Sequence, residues 1–538
     1  MEAETGGAVN LAARLRIPVA ACASLLLASL ANFLVHNDYP LLRPEVGLVT
    51  SSVILLSAAM AFAYLALPRW GRSLLEGLLT AVFVELNTTS LAAAIPAGLL
   101  VASICLWKKI SLTKPMALFG SVVLLTTLLG VGGRTPWIVS VERKGASRVA
   151  DASRPAIVHL ILDEHIGIEG LPASDPDAAR LREELKAFYV GAGFATYGGA
   201  YSEHMRTMNA LPHVLNYGER LGLGMHGRTA RVGPTEHLDR LIRQGYRLTV
   251  FEADFADFCS DVRFSKCVTY ESSSPTALLG TSLTTFERAG LIATKFMSLS
   301  RIVDAGLLPW RLVAGQLGLP QLSPGNLGRS TSAATLPVFD ELTRRLSNAR
   351  AGNIYFAHLL LPHYPYALDA NCRLRRWRDW EKPFTGRNLS KRQHAYFAQV
   401  RCTTRKIGAL LKALDHSAAG RNAVVIIHGD HGSRITQVEP ADANIGKFGE
   451  SDMIATYSTL FAVRSPQLRP GYTSARLPIF SLLKDFAGSR FTTAPSPAPP
   501  PTPTVYLDGP NGIPGQRVAL PPSWAKPRLP AKGFDTHP

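Results

Sequence analysis

Apolar residues dominate five early stretches of the chain, at about 17–35, 46–67, 74–86, 91–107 and 116–131. A helix needs ~20 apolar residues to cross hydrocarbon, so these read as membrane spans, the third being short. Only the polar break at 87–90 separates the third from the fourth, and one long broken helix is the competing reading. Basic residues arbitrate. Arg14 and Arg16 precede the first span, Arg69 and Arg72 lie between the second and third, and Lys108, Lys109 and Lys114 lie between the fourth and fifth. Five spans put all three clusters on the cytoplasmic side, whereas four put the lysines outside. The expectation is five spans, the amino terminus inside, and everything after about Gly133 outside. No small-residue cleavage site follows the first span, so it reads as a permanent anchor.

Beyond a polar linker at 134–155 the pattern changes to short β-branched runs alternating with helical periodicity. Strands are expected at 156–162, 194–197, 246–252, 354–361, 423–427 and 457–464. Helices are expected at 175–191, 236–244, 334–349, 391–414 and 478–486. Such alternation predicts a mostly parallel sheet covered by helices on both faces. From about Thr492 the chain turns Pro-rich and reads as an extended tail. The expected organisation is therefore a membrane domain at 1–133, the linker, a folded domain at 156–490 and a tail at 491–538.

Two of the strands end in chemistry. The run from Ala423 delivers Asp430 and His431 onto a turn with Gly432, and the run from Ala156 ends in Asp163 and Glu164. In open α/β sheets ligands collect beyond the carboxyl ends of strands, where carboxylates and imidazoles are hard ligands suited to zinc or manganese. Cysteine usage agrees with an oxidising exterior. Cys22 and Cys105 fall in spans, and the four outside pair most simply as Cys259–Cys267 and Cys372–Cys402. The net charge of +17 over 538 residues is dispersed and partly flanks the spans, which suits anionic lipid head groups. No nucleic-acid motif accompanies it.

Four motifs in order resemble the alkaline phosphatase and sulfatase superfamily, in particular its membrane-anchored phosphoethanolamine transferases and glycerophosphate-polymer synthases. They are the strand end Leu162–Glu164, Thr207 with Pro212 five residues on, His358 with His363 in the strand-end segment 358–366, and Asp430–Gly432. The resemblance implies a five-helix transmembrane bundle followed by an α/β sulfatase-like domain with a mostly parallel sheet between helices. It also implies roles for particular residues. Asp163, Asp430 and His431 hold a divalent metal, with Glu164 able to replace or join Asp163. Thr207 is the fourth ligand and the nucleophile, with Ser202 as the fallback, and His358 and His363 bind the substrate. Arg434 is a candidate phosphate clamp, while His204, His213 and His428 read as structural.

The chain departs from the family in two ways. No cysteine sits in a C/S-x-P-x-R signature, which disfavours sulfate ester hydrolysis. The next histidine after His431 is His537, so a residue of 444–450 is expected to complete the shell, or the site holds one metal. The function so implied is transfer of a substituted phosphoryl group from a phospholipid to a cell-envelope glycan or lipid, at the outer side of a bacterial inner membrane. Glu85 and Asn87 would sit at head-group level. The alternatives are a hydrolase with water as acceptor and a non-catalytic glycan-binding membrane protein.

Overall fold

A computed structural model describes residues 3–130, 138–142, 151–219, 224–226, 229–232, 235–260, 264–279, 281–306, 331–376, 379–381 and 388–522. Five helices open the chain: α1 (Ala3–His36), α2 (Pro44–Ala66), α3 (Arg69–Thr88), α4 (Leu91–Lys108) and α5 (Thr113–Leu128). Then come α6 (Pro176–Gly191), α7 (Thr207–Leu215), α8 (Glu236–Arg243), α9 (Thr285–Met297), α10 (Arg301–Gly306), α11 (Thr331–Leu346) and α12 (Leu389–His416). The larger helices α13 (Glu450–Tyr457) and α14 (Ile479–Gly488) follow. The chain divides into two compact units, Met1–Trp137 with Ser273–Arg329, and Ile138–Ser272 with Ser330–Pro538. The segment from Ser273 thus belongs with the first unit, where the sequence placed it in the folded domain.

In the first unit, residues Leu11–His36, Pro44–Ala66 and Leu91–Lys108 are long and apolar enough to cross a membrane. The third helix is 20 residues rather than the 13 expected, and α5 has 16. The polar break is a true boundary. Thr89 turns left-handed at φ 53°, and the Ser90 hydroxyl caps α4 by accepting from Ala93 N at 3.3 Å. Close approach of α3 and α4 requires two glycines, since a Cβ on Gly77 would stand 2.5 Å from the Gly98 carbonyl oxygen.

Two carboxylates inside this unit are saturated with donors. Glu76 accepts from Tyr64 Oη and Ser111 Oγ at 2.8 Å and from Cys105 Sγ and Leu112 N at 3.0 Å. Glu85 accepts from Ser300 Oγ at 2.6 Å, Arg301 N at 2.9 Å and Ile302 N at 3.1 Å, which satisfies the first amides of α10. Asn87 is engaged by Asn32, Ser29 and the Phe83 carbonyl. The polar groups expected at head-group level are therefore used to hold the helices together.

The second unit is built on a nine-stranded sheet of order β1-β8-β6-β9-β2-β10-β11-β3-β12. Its strands are β1 (Ile138–Glu142), β2 (Ile157–Leu162), β3 (Ala195–Tyr197), β6 (Arg247–Ala253), β8 (Lys266–Tyr270), β9 (Asn353–Leu359), β10 (Val424–Gly429), β11 (Phe461–Arg464) and β12 (Gly471–Thr473). A small sheet joins β4 (Gly224–His226), β5 (Thr229–Arg231) and β7 (Ala256–Asp257). The strands β6, β8, β9, β2 and β10 pair in parallel, and β11 turns antiparallel against β10. Every residue of β2 and β10 is buried, as their continuous apolar runs require of central parallel strands.

Three further expectations change. The linker contributes β1, paired antiparallel with β8. Residue 457 ends a helix, and the strand expected from there begins only at Phe461. The Pro-rich tail does not stay extended, because it returns as a hairpin of β13 (Thr504–Asp508) and β14 (Pro514–Ala519). Helix α6 starts as its sequence dictates, with the Asp175 carboxylate accepting from the amides of Asp177 and Ala178 and with Pro176 in the first turn.

Candidate metal centre

Register places the chemistry. Leu162 of β2 pairs with Leu359 of β9 on one side and with Gly429 of β10 on the other. Asp163 and Asp430 therefore leave the sheet side by side, at the end of β9 that carries His358. Gly432 is obligatory in the turn that follows. A Cβ there would lie 2.3 Å from the Ala455 carbonyl oxygen and 2.5 Å from that of Ser458. Thr207, first residue of α7, is brought to the same place. Its hydroxyl oxygen is 3.4 Å from Asp163 Oδ2 and 3.4 Å from His431 Nε2.

His431 Nδ1 donates to the Gly432 carbonyl oxygen at 2.8 Å, because a carbonyl can only accept. That bond assigns a proton to Nδ1 and turns Nε2 toward the carboxylates, 3.4 Å from Asp430 Oδ2 and 3.8 Å from Asp163 Oδ1. Asp430 Oδ1 accepts from Glu164 N at 3.1 Å and from His431 N at 2.8 Å. Asp163 Oδ1, Asp430 Oδ2 and both ring nitrogens of His358 are buried with no hydrogen-bond partner. Burying two carboxylates this way is costly unless a cation compensates them. Burial raises the pKa of Asp430, and the charge of Asp163 adds to the rise. Burial acts on Asp163 in the same direction, but His363, His358 and His431 together hold it below its ordinary value.

The residues present fit a divalent metal. Ligand atoms of Asp163, Asp430 and His431 lie within 4.8 Å of one another, and so do those of Asp163, Glu164 and His363. Asp163 is common to both groups. A third such group, Glu252 with Cys259 and Cys267, is no metal site, because those cysteines are bonded to each other.

Glu164 takes a different direction from its neighbour. Its backbone is left-handed at φ 63°, a conformation rare outside glycine and concentrated at functional sites. The side chain accepts from Tyr366 Oη at 3.1 Å and Tyr364 N at 3.3 Å, and lies 3.6 Å from His363 Nε2. Arg434 Nε is 3.1 Å from Glu164 Oε1, and its guanidinium sits 5.6 Å above the Tyr364 ring. Burial pushes Glu164 up to about 8 even though Arg434 works against the rise. Arg434, the candidate phosphate clamp, is thus neither a free surface cation nor turned away from the site, but lies against Glu164. His358 Nε2 is 3.5 Å from Asp163 Oδ2, so both histidines of the 358–366 segment reach the site.

Other candidates lie elsewhere. Ser202 donates to the His204 carbonyl oxygen at 2.9 Å, His213 faces Glu203 at 3.2 Å, and His428 Nε2 meets His159 Nε2 at 2.9 Å under the sheet. Among the described residues, no metal-competent group includes a residue of 444–450. Asn444 there binds the Glu439 carbonyl. Both expected disulfides, Cys259–Cys267 and Cys372–Cys402, are formed. Sequence reasoning missed Tyr366 and Tyr396, whose hydroxyls hold the Glu164 side chain and carbonyl. Only the spacing Tyr364-Pro-Tyr366 hinted at the first.

Among solved structures, this chain is similar to the zinc-bound C-terminal periplasmic domain of EptC from Escherichia coli, at 10% identity and TM-score 0.35 over 66% of this chain and 85% of that one. It is similar to a phosphonate monoester hydrolase of Agrobacterium radiobacter, at 12% identity and TM-score 0.41 over 66% and 80%. A 2-O glycosaminoglycan sulfatase matches at 13% identity and TM-score 0.35 over 64% and 72%. No family model matches the sequence, and no curated protein matches it.

Proposed function

We propose that this chain is a membrane-anchored, metal-dependent phosphotransferase of the alkaline phosphatase and sulfatase superfamily, with Thr207 as nucleophile. The observation that carries this reading is the convergence of the Thr207 hydroxyl on Asp163 and His431, beside buried carboxylate oxygens that lack donors. Asp163, Asp430 and His431 are the residues that would hold zinc or manganese, with Thr207 adjacent. An ion bound there supplies Lewis-acid polarisation and lowers the pKa of the hydroxyl.

Thr207 Oγ attacks phosphorus in a phospholipid, forming a bond to the substituted phosphoryl group as the bond to the diacylglycerol oxygen breaks. The proton given up by Thr207 balances the one taken by the leaving alkoxide, and the imidazoles of His358 and His363 would carry it. In the second half an acceptor hydroxyl on an envelope glycan or lipid attacks the same phosphorus, and Thr207 recovers its proton. The start of α7 also presents backbone amides to an anionic group on Thr207. Five membrane helices with the second unit outside the bacterial inner membrane would keep the site at a surface where lipid donors are concentrated.

The test is peptide mass spectrometry across Thr207 on protein purified from its native membrane, beside Asp430→Ala. A phosphoryl-type adduct only in the wild type supports the reading, and its mass identifies the group. Bound metal without any adduct, together with free phosphate monoester as product, points instead to water as the acceptor.

A further inference from the structure

The segment from Thr504 was expected to be part of an extended tail, yet it returns to the opening of α7. Arg206, the residue before Thr207, is held in a two-pronged pair by Asp508. Its Nε donates to Asp508 Oδ1 at 2.7 Å and its Nη2 to Asp508 Oδ2. Asp508 is almost wholly buried, and its own amide donates to the Pro440 carbonyl oxygen at 3.1 Å. One turn into the helix, Asn209 Nδ2 donates to the Gly512 carbonyl oxygen at 2.8 Å. On the other side Tyr506 N donates to the Glu203 carbonyl oxygen at 2.9 Å, and the Tyr506 ring stacks on His204 with centroids 5.0 Å apart. Residues 203–209 are therefore fastened to 506–512 from both flanks of the proposed nucleophile.

That fastening matters because α7 does not cap itself. Its N-cap position is Arg206, which offers no side-chain acceptor to the free amides of the first turn. The setting of Thr207 is left to outside contacts. The same hairpin also grips the loop that follows Asp430 and His431. Asp442 Oδ1 accepts from Gln516 N at 2.9 Å, Asp508 N donates to the Pro440 carbonyl oxygen, and Arg206 itself lies 3.5 Å from Glu439 Oε1. One hairpin thus touches both the segment bearing Thr207 and the loop leaving the candidate ligands.

We infer that Asp508 is a positioning residue, which through Arg206 sets the Thr207 hydroxyl against Asp163 and His431. The inference rests on the reading of Thr207 as a nucleophile at a metal centre. A charge-assisted bidentate pair with one partner buried has both the strength and the direction to fix a backbone position. A misplacement of about 1 Å at a reacting group costs roughly 100-fold in rate.

The experiment uses the full chain in detergent with Mn²⁺ and bis(4-nitrophenyl) phosphate as probe, comparing wild type, Asp508→Asn, Asp508→Glu and Arg206→Lys. Arg206→Lys keeps the charge and stem but loses the fork. Each is measured for kcat, KM, Mn²⁺ affinity, melting temperature and amide exchange over residues 207–212. The expected result for Asp508→Asn is a fall in kcat of about 100-fold, with KM, metal affinity and melting temperature little changed and faster exchange at 207–212. Asp508→Glu should recover part of kcat. If Asp508→Asn fails to fold, Arg206→Lys carries the same expectation. Unchanged kcat and exchange in a folded variant overturns the inference, and so does loss of the fold in both Asp508→Asn and Arg206→Lys. A wild type that neither binds Mn²⁺ nor turns over the probe sinks the phosphotransferase reading instead, while the exchange data still report whether Asp508 fixes α7.

Discussion

Arg434 Nε stands 3.1 Å from Glu164 Oε1, and the carboxylate has no exposure to solvent. Removing one member of a buried pair leaves the other charge uncompensated, which typically costs about 3–5 kcal/mol. Above pH 8, where Glu164 is ionised, Arg434→Ala should therefore destabilise the second unit strongly, and Glu164→Gln added to it should restore much of the loss. Denaturant unfolding of the two single variants and the double variant measures this. An equal loss in Arg434→Ala and in the double variant would show that the pair contributes only packing.

Thr207 is in loose contact with its neighbours, with both polar approaches at 3.4 Å. Thr207→Ala should leave the melting temperature nearly unchanged while lowering turnover of bis(4-nitrophenyl) phosphate by at least ~10³-fold. A variant that keeps turnover would move the nucleophile elsewhere.

Buried oxygens of Asp163 and Asp430 without donors predict that metal and stability are linked. Mn²⁺ or Zn²⁺ at 100 times its dissociation constant should stabilise the fold by about 2.7 kcal/mol, and a chelator should reverse the gain. Asp430→Asn keeps an oxygen for the amides of Glu164 and His431, so the metal-free fold should survive while the metal-dependent rise disappears. Calorimetry with and without chelator reads both effects.

His237 is fully buried beside His159, and burial first, then the nearby His428 and Arg240, pull its pKa down from 6.5 to about 3. A depressed folded-state value means that stability is fully present above pH 6.5 and is lost as the pH falls toward 3. The loss should be on the order of 3 kcal/mol by pH 4. His237→Phe should flatten that acid limb in a pH series of melting curves, leaving the curve above pH 7 the same shape.

Much of the site was legible because its parts come from the simplest pattern, apolar runs that end in ligands. The strands carrying Asp163 and Asp430 needed only burial on both faces to be recognised. Which carboxylate faces His431 was not legible, since it turns on a single left-handed residue, Glu164, and no neighbouring residue type forecasts that φ. The alternating run Thr504–Asp508, with the turn before Pro514, is an ordinary hairpin signal that the prolines at 495–503 drowned out. The segment from Ser273 was invisible for another reason. Helix α9 has a common amphipathic pattern, and its place among the apolar helices of the first unit depends on partners such as Glu45, whose carboxylate meets Arg288 at 3.1 Å.

Arg206 and Asp508 are 302 positions apart in the chain. At ~5–20 residues per second, synthesis separates their emergence by roughly 15–60 s. Only in the last part of that interval, once β12 has been made, do the sheet, the candidate ligands and Thr207 exist together without the hairpin that fastens them. On the proposed reading the site is assembled in two acts, and reactivity toward lipid is withheld from the growing chain until Asp508 arrives. A product cut short before Asp508 would be a bilayer protein with its candidate ligands present and its nucleophile unmoored.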